Sequence, residues 1–363
     1  LFRSMAQGLR AAPGTWLEAL AGIAAAVAAQ AGAAAPYPVT PGEEAKAIAA
    51  SLASGERKAI LLGNAAMQHP RSGALLALAQ WIGEHTGAIV GCLGEAANSV
   101  GAQLVGMMPG EGGLDAQAML SGGRIKAMLL LNLEPMLDAA DPVAVPAALG
   151  AADTVIALTA FRSAVDAVAD VMLPIAPFTE TAGAFVNAEG RVQSFHGVVK
   201  PAGETRPAWK VLRVLGNLLG LPGFNFESAE EVRAEALGDV STISDRLDNR
   251  ATLPAALPQA QTAGLQRISD VPIYATDPIV RRAPALQATA DARAPCVGLP
   301  SGVWEALKVA DGALVRVTQG PGHAFLPARL DASLPPDVVR IPAGHTATAV
   351  LGAMFGDVSV SGN

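Results

Sequence analysis

From residue 57 onward the chain alternates short, predominantly apolar runs with longer stretches of helical periodicity. The runs cover residues 59–62, 88–91, 125–131, 154–159 and 168–173. Each is too short for a core helix and lacks the apolar–polar alternation of a half-exposed strand. Continuous apolar strands separated by helices are what a parallel sheet covered on both faces requires. The pattern therefore predicts an α/β fold with a doubly wound, mostly parallel sheet over residues 57–223. Ahead of it, residues 1–56 read as an alanine-rich helical segment belonging to an upstream domain. Thr15-Trp16-Leu17-Glu18 caps and starts a helix there, and Pro36-Tyr37-Pro38 breaks the pattern.

Within the α/β stretch, residues 183–195 read as two short strands around the turn Asn187-Ala188-Glu189-Gly190. Gly190 is expected at positive φ, with Asn187 bonding its own backbone. Thr205 and Pro207 open a helix that closes near Gly220 and sets Trp209, Leu212, Leu215 and Leu219 on one face. Residues 224–293 read as a helical and irregular connector, with a solvated helix over 230–246 and a linker over 259–268. Over 294–363, alternating stretches at 313–318, 324–330 and 338–341 predict a small C-terminal β-barrel-like domain. Turns at Asp311-Gly312 and Gly320-Pro321-Gly322 separate its strands.

Composition narrows the function classes. The 363 residues are 51% hydrophobic and 16% charged, which excludes a disordered chain. With 25 basic against 32 acidic residues, no basic face is expected and nucleic acid is not a partner. A mean hydropathy of +0.36 raises the question of a membrane. The longest apolar run, 19–35, is mostly alanine around Gln30 and buries too little area to insert, so no direct membrane insertion is expected. The chain starts at Leu1 without a signal-peptide pattern, and a truncated piece of a longer polypeptide is expected. Cys92 and Cys296 have neither CxxC partners nor histidines at zinc spacing. A cluster needs about four thiolates, so no metal site and no iron–sulfur cluster is expected within this chain.

Candidate chemistry is sparse. Glycine clusters at 91–94, 106–113 and Gly122-Gly123 match neither GxGxxG nor a GK[ST] phosphate loop and read as tight turns. His69 follows Gln68 just after the first strand, at the edge where doubly wound sheets bind ligands. It is either a ligand-edge group or a solvated loop histidine. Glu134 and Glu180 stand at strand ends, as acid–base candidates or as helix-capping and turn residues. No GxSxG elbow or Cys-His arrangement occurs, and no catalytic residue is assigned.

Four stretches in order carry a resemblance. They are Gly63-Asn64-Ala65-Ala66-Met67-Gln68-His69; Asn98-Ser99-Val100-Gly101-Ala102 with Gly106-Met107-Met108-Pro109; and Gly123-Arg124-Ile125-Lys126-Ala127 leading to Asn132-Leu133-Glu134-Pro135. The fourth runs from Ala169-Asp170-Val171-Met172-Leu173-Pro174 through Glu180, Gly183 and Asn187 to Glu189-Gly190-Arg191-Val192-Gln193. Together they resemble the large subunits of the molybdopterin oxidoreductase superfamily over residues 57–345. Within it the chain looks most like the family of G subunits of NADH-quinone oxidoreductase, respiratory complex I.

That resemblance implies a structural, cofactor-free part of a subunit that supports electron transfer from NADH to quinone. Iron–sulfur clusters would belong to the N-terminal part of the parent subunit. The other peripheral-arm subunits would be its partners, at the cytoplasmic face of the bacterial inner membrane. Gly63, Gln68, His69, Asn132, Glu134, Asn187 and Glu189 would line a vestigial pocket. The alternative it implies is a partial chain of an active, formate dehydrogenase-like large subunit. Departures from the active pattern favour the first. Glu134 stands in their Gly-x-Asn-Pro motif, where an acid repels a pterin phosphate. Ala65 replaces a second glycine, and the barrel is abbreviated.

Overall fold

The computed structural model describes residues 7–94, 96–122, 125–259 and 264–362. Alanine builds its first layer. Helix α1 (Trp16–Ala31) packs on α2 (Glu43–Ser54), where Ala45 stands against Gly22, and Ala21, Ala24 and Ala49 are buried in the same core. Thr15 holds the N-cap position of α1, but its hydroxyl donates to the Ala12 carbonyl at 2.9 Å. The expected side-chain cap is therefore not made. A short turn, α3 (Asn64–Met67), precedes α4 (Ser72–Thr86). Leu17, Val27, Leu75, Leu78 and Ile82 form one core with Leu62 of the first strand, so the alanine-rich segment shares its core with the region that follows.

The parallel strands divide into two sheets instead of the single doubly wound sheet expected. β1 (Ala59–Leu62) pairs with β2 (Ile89–Cys92), and β3 (Ala127–Leu131), β4 (Thr154–Thr159) and β5 (Val171–Pro174) form the second sheet. The β1–β2 sheet is covered on one face, and the second sheet is covered on one face at its edges and on both at the end of β4. Ile60, Leu62, Val90 and Cys92 face the α1–α4 core, and Met128 and Val155 pack on Val145 and Leu149. On the other face Leu61 is 60% and Ile89 78% exposed, and Leu129, Leu131 and Val171 are exposed as well. These strands have the unbroken apolar sequence of a sheet buried on both sides; β1 and β3 are covered only at alternate residues, whereas the central strand β4 buries the consecutive residues Ala157, Leu158 and Thr159.

β6 (Gly183–Val186) and β7 (Val192–Phe195) form the expected antiparallel hairpin. Gly190 has φ +79°, and the Asn187 side-chain oxygen accepts from the Glu189 and Arg191 amides at 3.1 and 2.9 Å. In the helix Ala208–Leu218, Trp209, Leu212 and Leu215 are half-buried, whereas Leu219 lies beyond its end and is exposed. The single helix expected over 230–246 is interrupted. Gly238, at φ +62°, ends Ala229–Leu237, and a separate turn, Ile243–Arg246, follows.

The C-terminal region closes into a six-stranded barrel made of β8 (Leu265–Ile268), β9 (Val297–Leu299), β10 (Leu314–Gln319), β11 (Gly322–Leu330), β12 (Val338–Arg340) and β13 (Gly356–Gly362). Its first strand lies in the stretch read as linker and connector, ahead of the expected start at 294. That strand is concealed in the sequence because its two central residues, Gln266 and Arg267, are polar and yet buried. Residues 260–263 of the expected linker lie outside the described residues.

Arg267 is 1% exposed. It donates to Gln319 Oε1 and to the carbonyls of Gly352 and Ala353 at 3.1, 3.3 and 3.1 Å. Burial pushes its pKa down to about 10. These bonds hold the 352–355 segment, whose Phe355 reaches the alanine-rich helices.

Candidate functional site

The carboxyl edge of the β3–β5 sheet is where an open α/β sheet offers ligands a crevice. Asn132 leaves β3 at φ +51°, and its amide donates to the Leu158 carbonyl at 2.8 Å. A left-handed non-glycine residue at a strand end is a stored strain of the kind found at binding sites. It turns the chain toward Glu134, at the N-cap position of the Pro135–Asp138 turn.

The Glu134 side chain does not cap that turn, contrary to the simpler expectation. Instead Asp138 accepts the Glu134 amide at 2.6 Å, and the Glu134 carboxylate is committed to two arginines. Arg282 grips both oxygens, with Nη2 2.7 Å from Oε1 and Nη1 3.0 Å from Oε2. Arg281 Nη1 adds a third bond to Oε2 at 2.9 Å, and its Nη2 donates to Asp138. The Glu134 and Arg281 side chains are only 8% and 10% exposed. Burial alone would raise the Glu134 pKa; hydrogen bonds and charge from Arg282 and Arg281 outweigh it and hold the carboxyl below its ordinary value. The Arg282 guanidinium also lies 4.6 Å over the Phe161 ring and 3.3 Å from Ser163 Oγ.

Both arginines come from the turn Val280–Arg282 in the connector. Asp277 Oδ1 accepts the amides of Ile279 and Val280 at 2.8 and 3.0 Å, and Gln287 donates to the Val280 carbonyl at 2.7 Å. The guanidiniums are thereby presented from a braced turn. Sequence reasoning singles out neither arginine, nor Asp138. The available signal is an adjacent pair, Arg281-Arg282, in an otherwise apolar, proline-flanked stretch.

The carboxyl edge of β1 is built differently. Gly63 has ordinary backbone angles, and open space lies where a side chain would stand, so nothing there requires glycine. Gln68 ends α3, its amide donating to the Asn64 carbonyl. His69 is buried, neither solvated nor turned to a ligand crevice. Its Nδ1 accepts the Arg71 amide at 3.1 Å, which leaves Nε2 to donate to the Pro13 carbonyl at 3.2 Å. Its ring lies 5.4 Å from Trp16 and 5.3 Å from Phe355. Burial pushes the His69 pKa down; the Pro13 bond opposes this, and the nearby Arg71 charge adds to it.

The remaining candidates stand elsewhere. Asn187 is spent on its own turn, and Glu189 is exposed on it. Glu180 accepts the Ala202 amide at 2.9 Å. A cavity of about 250 Å³ lies behind the hairpin, lined by Gly183, Val186, Phe195, Trp209, Val232 and Leu237. None of Gly63, Gln68, His69, Asn132, Glu134, Asn187 and Glu189 lines it. The seven expected pocket residues thus fall into three places, each with its own partners. Gly123 and Arg124 of the third sequence stretch lie outside the described residues. Among the described residues no group of three or more His, Cys, Asp or Glu is placed to hold a metal ion, and Cys92 and Cys296 are free thiols.

Residues 8–218 match the family model described as molybdopterin oxidoreductase, which is more than half of the chain. Among curated proteins the chain is 33% identical over 268 residues to the G subunit of NADH-quinone oxidoreductase of Mycobacterium bovis, covering 69% of this chain and 32% of that protein. It is 35% identical over 126 residues to the alpha subunit of F420-dependent formate dehydrogenase 1 of Methanococcus maripaludis, covering 34% of this chain and 19% of that protein. The chain thus spans about a third or less of the length of these relatives. Among solved structures, acetylene hydratase from Pelobacter acetylenicus aligns with a TM-score of 0.46 at 16% identity, over 66% of this chain and 41% of that one.

Proposed function

The chain belongs to the molybdopterin oxidoreductase family, and from that membership we propose that it is a structural, cofactor-free part of a G subunit of the complex I type. The observation that carries the reading is the self-closed carboxyl edge of β3. A phosphate-bearing pterin needs free cationic or amide donors there, and the two arginines at this edge are already held by Glu134. A third anion would meet a buried carboxylate beside them. The residues at this edge therefore do not fit the family's cofactor, and no chemical step is assigned to it.

The exposed apolar positions on both parallel sheets support a packing role. Leu61, Ile89, Leu129 and Val171 present apolar surface that a parallel sheet ordinarily buries. In this reading, neighbouring parts of a peripheral arm cover them, at the cytoplasmic face of the bacterial inner membrane. Iron–sulfur clusters lie in the N-terminal part of the parent subunit and outside this chain. Among the described residues no helix is long and apolar enough to cross a membrane.

The test is purification of the affinity-tagged parent polypeptide from native membranes. Co-purification with NADH-oxidising, quinone-reducing activity supports the reading. Formate oxidation by the purified polypeptide would replace it with the formate dehydrogenase-like alternative.

A further inference from the structure

Arg281 and Arg282 have the construction of an oxyanion site. Two guanidiniums converge on one point, Arg282 presenting its planar fork and Arg281 a single N–H. Ser163 Oγ stands 3.3 Å from Arg282, and the Phe161 ring backs the guanidinium. The turn that carries the arginines is braced by Asp277 and Gln287 independently of Glu134. The point they address lies at the carboxyl edge of a parallel sheet, beside the left-handed Asn132.

We propose that Arg281 and Arg282 form an oxyanion-binding site whose resident ligand is the chain's own Glu134 carboxylate. The site is closed to external anions in the wild-type chain and takes a phosphate-class oxyanion once that carboxylate is removed. The inference stands on this geometry alone, whatever assembly the chain serves. The charges agree with it: two arginines meet two acids, Glu134 and Asp138, so the wild-type cluster is balanced. Removing Glu134 leaves one positive charge and a space the size of a carboxylate in a half-dry pocket. The guanidinium fork matches phosphate as well as carboxylate.

The test uses the 363-residue chain, its Glu134→Ala and Glu134→Ser variants, and the double variant Glu134→Ala/Arg282→Ala. Inorganic pyrophosphate and sodium formate serve as probes, followed by titration calorimetry and thermal unfolding. Glu134→Ala is expected to bind pyrophosphate at least about tenfold more tightly than wild type, since a neighbouring like charge is worth one pK unit or more at close range. Formate is expected to raise its Tm while leaving that of wild type unchanged, because formate supplies the missing carboxylate. The double variant is expected to lose both effects. Where Glu134→Ala is too unstable to measure, Glu134→Ser keeps a polar side chain, leaves the space between the guanidiniums open and should still gain pyrophosphate affinity over wild type. A folded Glu134 variant with no anion-dependent binding or stabilisation overturns the proposal. So does wild-type binding as tight as the variant's, which would place the anion elsewhere. Neither result bears on the activity that co-purifies with the parent polypeptide.

Discussion

Two strand ends in this molecule occupy the position where an α/β sheet offers a ligand its crevice, and they are closed by opposite means. The end of β1 is shut by neutral contacts: His69 bonds the Pro13 carbonyl and forms a three-ring cluster with Trp16 and Phe355. The end of β3 is shut by charge, with Glu134 bound to Arg281 and Arg282. A neutral joint costs little desolvation and fails by leaving a hole. A buried ionic joint gains little over an apolar one but fails badly when one partner is lost, because the other charges stay behind. Each joint ties the α/β region to a distant segment, the first to the barrel's 352–355 segment and the second to the connector.

The sharpest way to break the ionic side is Glu134→Leu. It leaves two largely buried guanidiniums facing Asp138 alone and should cost about 3–5 kcal/mol. Urea unfolding followed by circular dichroism measures it; a loss below about 1 kcal/mol would mean that the arginines re-solvate freely. On the neutral side, Phe355→Ala removes one ring of the His69–Trp16–Phe355 cluster from a buried position. The expected loss is about 3 kcal/mol, since buried aromatic truncations run near that value.

The hairpin gives a control outside both joints. At Gly190 an added Cβ would stand 2.7 Å from Leu247 Cδ1, on a residue at φ +79°. Gly190→Val should cost about 2 kcal/mol, from left-handed strain plus that clash. An unchanged melting temperature would show that the turn relaxes.

The gentlest probe is pH, which separates the joints without mutation. Folding favours neutral His69, whose pKa is lowered from 6.5. Its contribution is complete above 6.5 and is lost as pH falls through the lower folded value. Folding favours ionised Glu134, whose pKa is lowered from 4.5. Its contribution is complete above 4.5 and is lost only below that. Unfolding free energy should therefore decline first between neutrality and pH 5, and His69→Gln should flatten that part of the curve. His345, whose pKa is also lowered by desolvation, keeps a residual slope in the same window. Glu134→Gln should flatten only the acid limb.

How much of this is legible in the sequence follows the distance between partners. The hairpin is readable to the residue, because Asn187 and Gly190 make their turn from neighbours. The parallel strands are readable as apolar runs, but their division into two sheets is not, since pairing is a property of tertiary placement. His69 reads as an edge or loop residue because its wall, Phe355, arrives from the far end of the chain. Glu134 is legible as an acid at a critical edge. Its partners stand 147 and 148 positions away, and spacing carries no trace of such a pairing. Strand β8 escapes the pattern because Gln266 and Arg267 break the apolar sequence that a barrel strand normally shows.

The claim common to both joints is that the chain's own residues fill the places a cofactor would take. Molybdenum and pterin content of the full parent polypeptide, purified from its native host, tests that claim most directly. The account predicts neither molybdenum nor pterin fluorescence above background, with any iron confined to the part outside this chain. Near-stoichiometric molybdenum together with pterin would contradict it and make this a cofactor-bearing domain.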